Sequence, residues 1–152
     1  MKIVLASDHR GFLLKANLKK LLDEMNIESV DVGNFSTESV DYPDFAISAA
    51  EKVSGGKYDR GIFICGSGIG MCIVANKFPG IRASLCHDVY SAKMSREHTD
   101  CNVLCLGADL ISEKLAQEIL KTWLETEFKG GRHLRRIKKI HEIELQPKKG
   151  PH

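Results

Sequence analysis

The stretch RGIFICGSGIG, residues 60–70, decides how the rest of the chain is read. Its first six residues form a short, mostly apolar run of the kind that builds a buried strand. The run ends on Cys65, and Gly66, Gly68 and Gly70 follow within five residues. Glycine loses more backbone freedom on folding than any other residue. Spacing of this kind therefore marks a place where something comes very close to the backbone.

Similar runs lie on either side. Strands are predicted at 2–7 (KIVLAS), 28–33 (ESVDVG), 60–65, 81–86 (IRASLC) and 102–107 (NVLCLG). Between them, apolar residues recur at spacings of three and four, first as Phe12, Leu14, Leu18, Leu21, Leu22 and Met25. Further helices are predicted at about 43–54, 69–77, 88–97 and 112–127, the last with Ser112 as its cap and Glu113 in its first turn. Alternating short strands and helices imply an α/β fold with a five-stranded parallel sheet covered on both faces. Ligands bind such sheets at the carboxyl ends of the strands, near the switch in strand order. That rim is expected to hold SDHRG after the first strand, CGSGIG after the third and LGADL after the fifth.

The C-terminal quarter differs. A Gly130–Gly131 break precedes Leu134, Ile137, Ile140 and Ile143 at a spacing of three, predicting a last helix with one apolar stripe and a basic flank. Residues 1–144 read as a single domain with this helix at about 132–144, and 145–152 as a loose tail.

Composition narrows the classes. The chain has 152 residues, 43% hydrophobic and 28% charged, an ordinary globular balance. No apolar run approaches the roughly 18 residues of a membrane span, and the start lacks signal-peptide architecture. A soluble, cytoplasmic protein is expected. Five cysteines without a CxxC pair suit reduced, mostly buried thiols and argue against zinc. The basic end lacks interleaved aromatics, so it reads as a solvated face and not as a nucleic-acid surface.

Cys65 supports three readings. It is a buried residue before a tight turn, part of a dinucleotide loop, or a catalytic thiol beside an anion cradle. The dinucleotide fingerprint belongs on the first strand–helix turn with a different glycine spacing. A thiol at a strand end before a helix start faces backbone N–H groups and the positive end of a helix dipole, and Ser67 adds a hydroxyl. Asp8 and His9 share the rim, where such a pair in a turn is more often a local cap. His98 ends a helix, and Arg132 and Arg136 stand four apart around His133, a spacing that can grip a phosphate or simply face solvent.

Jointly, ASDHRGF (6–12), SVDYPDFA (39–46), RGIFICGSGIGMCIVANKFPGIRAS (60–84), SREHTDCNVL (95–104) and WLETEFKGGRH (123–133) resemble the type B ribose-5-phosphate isomerases and the related galactose-6-phosphate isomerase subunits. The resemblance implies a Rossmann-like three-layer α/β/α sandwich. It implies a homodimer, with tetramers open, whose active sites lie between subunits. It implies no metal, no organic cofactor, and aldose–ketose isomerisation of a sugar phosphate through a cis-enediolate.

Position by position, it makes Cys65 the base and Gly66, Gly68, Ile69 and Gly70 the enediolate-binding loop. Ser67 becomes a proton shuttle, His98 the ring-opening residue and Asp8 a sugar contact. His9, Arg132 and Arg136 become phosphate contacts, and His133 a neighbour of them.

Two positions depart from the family pattern. Thr99 stands where an asparagine commonly contacts the sugar, and Asp109 where an arginine commonly helps hold the phosphate. The substrate is therefore open: ribose 5-phosphate first, then allose 6-phosphate, galactose 6-phosphate or a tetrose phosphate. A non-catalytic sugar-phosphate sensor is the remaining alternative. Arg10, beside His9, is expected either to compensate for Asp109 or to face solvent.

Overall fold

A computed structural model describes residues 1–150. Its strands are β1 (Lys2–Ser7), β2 (Glu28–Asp31), β3 (Arg60–Cys65), β4 (Ala83–Leu85) and β5 (Val103–Gly107). The helices are α1 (Phe12–Glu24), α2 (Tyr42–Ser54), α3 (Ile69–Ala75), α4 (Val89–Thr99), α5 (Glu113–Glu125) and α6 (Arg132–Glu144). The strands pair in parallel in the order β2-β1-β3-β5-β4. Strand order reverses between β1 and β3, which places the switch point at the loops after those two strands.

Side-chain alternation along the strands builds two cores. Ile3, Leu5, Ile62, Ile64, Leu104 and Leu106 face α1, α4 and α5. Val4, Ala6, Phe63, Cys65, Val103 and Cys105 face α2 and α3. Both faces are buried, so each inner strand reads as a continuous apolar run. The expected α/β/α sandwich is the fold observed. Trp123, the single tryptophan, is fully buried in the first of these cores, with the Arg60 guanidinium 5.0 Å from its ring centroid.

The strands most shortened relative to the sequence reading are β4 and β2. β4 keeps three residues because Asn76 binds the backbone of Ala83 through both side-chain atoms, Oδ1 to its N–H at 2.9 Å and Nδ2 to its carbonyl at 3.0 Å. The same clasp ends α3 at Ala75, with Asn76 as its cap. β2 stops at Asp31, whose Oδ1 accepts from Gly33 N–H and from the ammonium of Lys15 at 2.7 Å. Lys15 is completely buried in α1 and also donates to the carbonyl of Asn34, with the Phe35 ring 4.9 Å away. A buried cation thus fastens the chain as it leaves β2.

Consecutive left-handed residues, Gly130 (φ +63°) and Gly131 (φ +56°), turn the chain into α6. Of the α6 stripe, Ile137 is buried against the protein, whereas Leu134, Ile140 and Ile143 are exposed. Residues 145–150 are exposed and outside any helix or strand; the last two residues of the predicted tail lie outside the described residues. No helix among the described residues is long and apolar enough to cross a membrane.

Candidate active site

The carboxyl rim is stitched together by backbone bonds that continue the ladder past the strand ends. Asp8 N–H donates to the Ile64 carbonyl at 3.2 Å, Ala108 N–H to Cys65 at 2.9 Å and Asp109 N–H to Gly66 at 3.0 Å. The loops after β1, β3 and β5 therefore meet as expected. They enclose an open cavity of about 510 Å³, into which Asp8, Arg10, Cys65, Gly66, Ser67, Ile69, Gly70 and Asp109 project.

Cys65 is the last residue of β3 and is nearly buried. Its sulfur accepts a hydrogen bond from Gly68 N–H at 3.1 Å. Ser67 Oγ accepts from Ile69 N–H at 3.2 Å. Two amides of the glycine loop are thus engaged within the loop itself, and the cradle has fewer donors to offer than five consecutive N–H groups.

What comes close to the glycines is first of all the chain. Gly68 sits at φ +77°, and a Cβ there would lie 2.9 Å or less from the backbone of Leu106. A Cβ on Gly70 would lie 2.4 Å from the Tyr42 ring. Tyr42 and Leu110 both line the cavity, and sequence reading missed both. Tyr42 opens α2, far along the chain, and nothing in local spacing points from it to Gly70. Gly68→Ala should destabilise the fold by about 1–3 kcal/mol or more, since it combines left-handed strain with a backbone clash. Urea denaturation checks this, and an unchanged midpoint would contradict the packing.

Asp8 is buried and its Oδ1 accepts from both Arg10 N–H and Gly11 N–H at 3.0 Å. The local-cap reading is therefore correct for one oxygen, leaving Oδ2 as the atom for any ligand. His9 Nδ1 accepts from Val40 N–H at 3.1 Å, so a neutral His9 carries its proton on Nε2 as a donor. Arg10 does not simply face solvent: its Nη1 lies 3.3 Å from Asp109 Oδ2.

His98, Thr99, Arg132, His133 and Arg136 are not brought to this rim within one chain. α4 runs back against the strands and ends at Thr99, just before β5 begins at Val103. Cys65 pairs with Gly107 at the other end of β5, about 13 Å along the strand at 3.3 Å per residue. The second group forms its own cluster. His98 and His133 stack with ring centroids 4.3 Å apart, and Arg132 and Arg136 are exposed beside them. Burial, then the charges of His98, Arg132, Arg136 and Lys129, push His133 below the usual histidine range. Lys129 ties this turn to α4 through Glu97 at 2.9 Å. The Thr99 hydroxyl is spent on the Ser95 carbonyl of its own helix, so it has no proton to donate to a sugar.

Cys72, on α3, is a second thiol to reckon with. A hydrogen bond with Cys105, reinforced by Asn76 and opposed by burial, lowers it to about 7. Substitution, and not alkylation, is therefore the way to separate the two cysteines. Among the described residues, no three His, Cys, Asp or Glu side chains are arranged to hold a metal ion.

Residues 3–140 match the ribose/galactose isomerase family along nearly the whole domain. The chain belongs to the ribose/galactose isomerase family. It is accordingly a sugar phosphate isomerase. Within this family it is 46% identical to ribose-5-phosphate isomerase B of Escherichia coli, over 94% of this chain and 96% of that one. It is 41% identical to D-erythrulose-4-phosphate isomerase of Pectobacterium atrosepticum, over 97% of this chain and 98% of that one. The solved structure of Clostridium thermocellum ribose-5-phosphate isomerase B superposes with a TM-score of 0.93 at 51% identity, covering 95% of this chain and 98% of that one.

Proposed function

We propose that the chain interconverts ribose 5-phosphate and ribulose 5-phosphate, with Cys65 as the base, at a site completed by a second copy of the chain. The observation that carries this is the Cys65 sulfur, held by Gly68 N–H at 3.1 Å at the edge of the switch-point cavity. In the thiolate form Cys65 removes the proton from C2 of the open-chain aldose and returns it to C1. Remaining amides of the Gly66–Gly70 loop face the enediolate oxygens, where fixed donors act most strongly. Ser67 passes the oxygen-bound proton from one oxygen to the other, and Asp8 Oδ2 takes a sugar hydroxyl.

The other functions fall to a second copy. Its His98 opens the furanose ring, and its Arg132 and Arg136 join His9 on the phosphate. Support comes from the division of these residues between opposite rims, and from the exposed Leu134, Ile140 and Ile143 on the helix that carries the arginines. A homodimer buries that stripe and builds two sites by one two-fold operation.

A tetrose phosphate is the second reading. It is favoured by Thr99, whose hydroxyl proton is already bonded to Ser95, and by the similarity to D-erythrulose-4-phosphate isomerase. Assaying four-, five- and six-carbon aldose and ketose phosphates decides between them. The highest kcat/KM should fall on ribose 5-phosphate, and a four-carbon preference would overturn that choice.

The shared site has its own test. Cys65→Ala and His98→Asn chains, each inactive alone, are refolded together. Half of the dimers are then mixed, and each mixed dimer holds one intact site of two. Roughly a quarter of wild-type activity should return if pairing is random. No recovery would place each site within one chain.

A further inference from the structure

We propose that Arg10 is the phosphate-binding cation that this chain contributes to its own Cys65 cavity, and that Asp109 is its positioning partner. The inference rests on the sugar-phosphate reading above. Arg10 is the only lysine or arginine among the residues lining that cavity. Its Nη1 stands 3.3 Å from Asp109 Oδ2. The pair crosses directly over Gly66, where an added Cβ would lie 2.8 Å from Asp109 Oδ2 and 3.1 Å from Arg10 Cδ. Gly66 follows the thiol, so the guanidinium is held within one residue of the reacting sulfur.

The placement is fixed from the backbone. Arg10 N–H donates to the buried Asp8 carboxylate, and Asp109 N–H donates to the Gly66 carbonyl, both at 3.0 Å. The side chains themselves are about half exposed, at 62% and 49%. A pair so exposed contributes little to stability, which leaves direction as its main effect. A guanidinium presents five N–H donors in a rigid fork. Asp109 approaches Nη1, which leaves the Nε and Nη2 edge of a cavity-lining side chain to give a phosphate dianion two parallel hydrogen bonds. Asp109 thus keeps the long arginine from sweeping solvent, at the cost of a negative charge behind it.

The experiment is a double-mutant cycle on the purified enzyme. Arg10→Met should raise KM for ribose 5-phosphate about tenfold or more, the worth of one charged hydrogen-bonded contact, with kcat changed much less. Calorimetric affinity for inorganic phosphate should fall in parallel, and Arg10→Lys should recover part of both. Asp109→Asn should weaken phosphate binding when Arg10 is present, and strengthen it or leave it unchanged in the Arg10→Met background. KM and phosphate affinity within about twofold of wild type in Arg10→Met would overturn the role of Arg10. Additive effects would overturn the positioning role of Asp109. Failure of the ribose 5-phosphate reading is separately visible: the wild type would turn over no ribose 5-phosphate, while calorimetry with inorganic phosphate still reports on Arg10.

Discussion

Cys65→Ala should abolish isomerisation, with kcat falling by about a hundredfold to ten-thousandfold, the usual worth of a positioned base. The fold should survive. The alanine removes one sulfur from a site that already touches the cavity and leaves Gly68 N–H beside open space. Thermal unfolding should move by only a few degrees, and calorimetric binding of inorganic phosphate should persist, because Arg10 is untouched. Cys65→Ser should be nearly as inactive, since a hydroxyl is a far weaker base than a thiolate at neutral pH. Steady-state rates on ribose 5-phosphate measure the effect. A loss smaller than about tenfold, or 1.4 kcal/mol of barrier, would remove Cys65 from the role of base. Cys72→Ala is the control, and it should leave kcat within a few fold of wild type.

The largest loss of stability should come from Lys15→Met. The methionine fills much of the same volume, but Asp31 and the Asn34 carbonyl lose the ammonium that binds them both. Breaking a buried pair by removing one partner costs about 3–5 kcal/mol, because the other charge is left behind. For a chain of this size that lowers the melting temperature by about 10 °C. Replacing Asp31 with leucine in the same chain should restore part of the loss, since the stranded carboxylate is then gone. A single-mutant cost under about 1 kcal/mol in urea denaturation would mean that water reaches Lys15 and takes over its bonds.

The fold was legible in the sequence because parallel strands buried on both faces are written as continuous apolar runs, and Ile62–Cys65 and Val103–Leu106 are such runs. Element ends were less legible. The Asn76 clasp on Ala83 and the Asp31 turn are side-chain events that no periodicity carries. The thiol, its glycine loop and Asp8 could be placed on one rim from strand ends alone. Arg10 could be placed there too, and the choice between compensating for Asp109 and facing solvent needed the structure, which brings two loops from distant parts of the chain to 3.3 Å. The separation of His98 from Cys65 within one chain follows from α4 running back against the strands and ending just before β5. Lys15 was invisible for another reason: a lysine in an amphipathic helix reads as surface, and only the Asp31 and Asn34 acceptors make its burial tolerable. Tyr42 against Gly70 was likewise out of reach of local spacing.

The position of Trp123 has a practical side. It is the one tryptophan of the chain, it lies in the core between the sheet and α5 beside Arg60 at the start of β3, and the thiol cavity opens at the carboxyl rim, beyond the other end of that strand. Intrinsic emission excited at the indole band therefore comes from a single shielded fluorophore. It should shift to the red and report global unfolding cleanly in a denaturant titration. The same emission should stay almost silent when a sugar phosphate enters the cavity, so a spectroscopic binding assay needs a reporter introduced elsewhere, and the Tyr42 position beside Gly70 is where an indole would see the ligand.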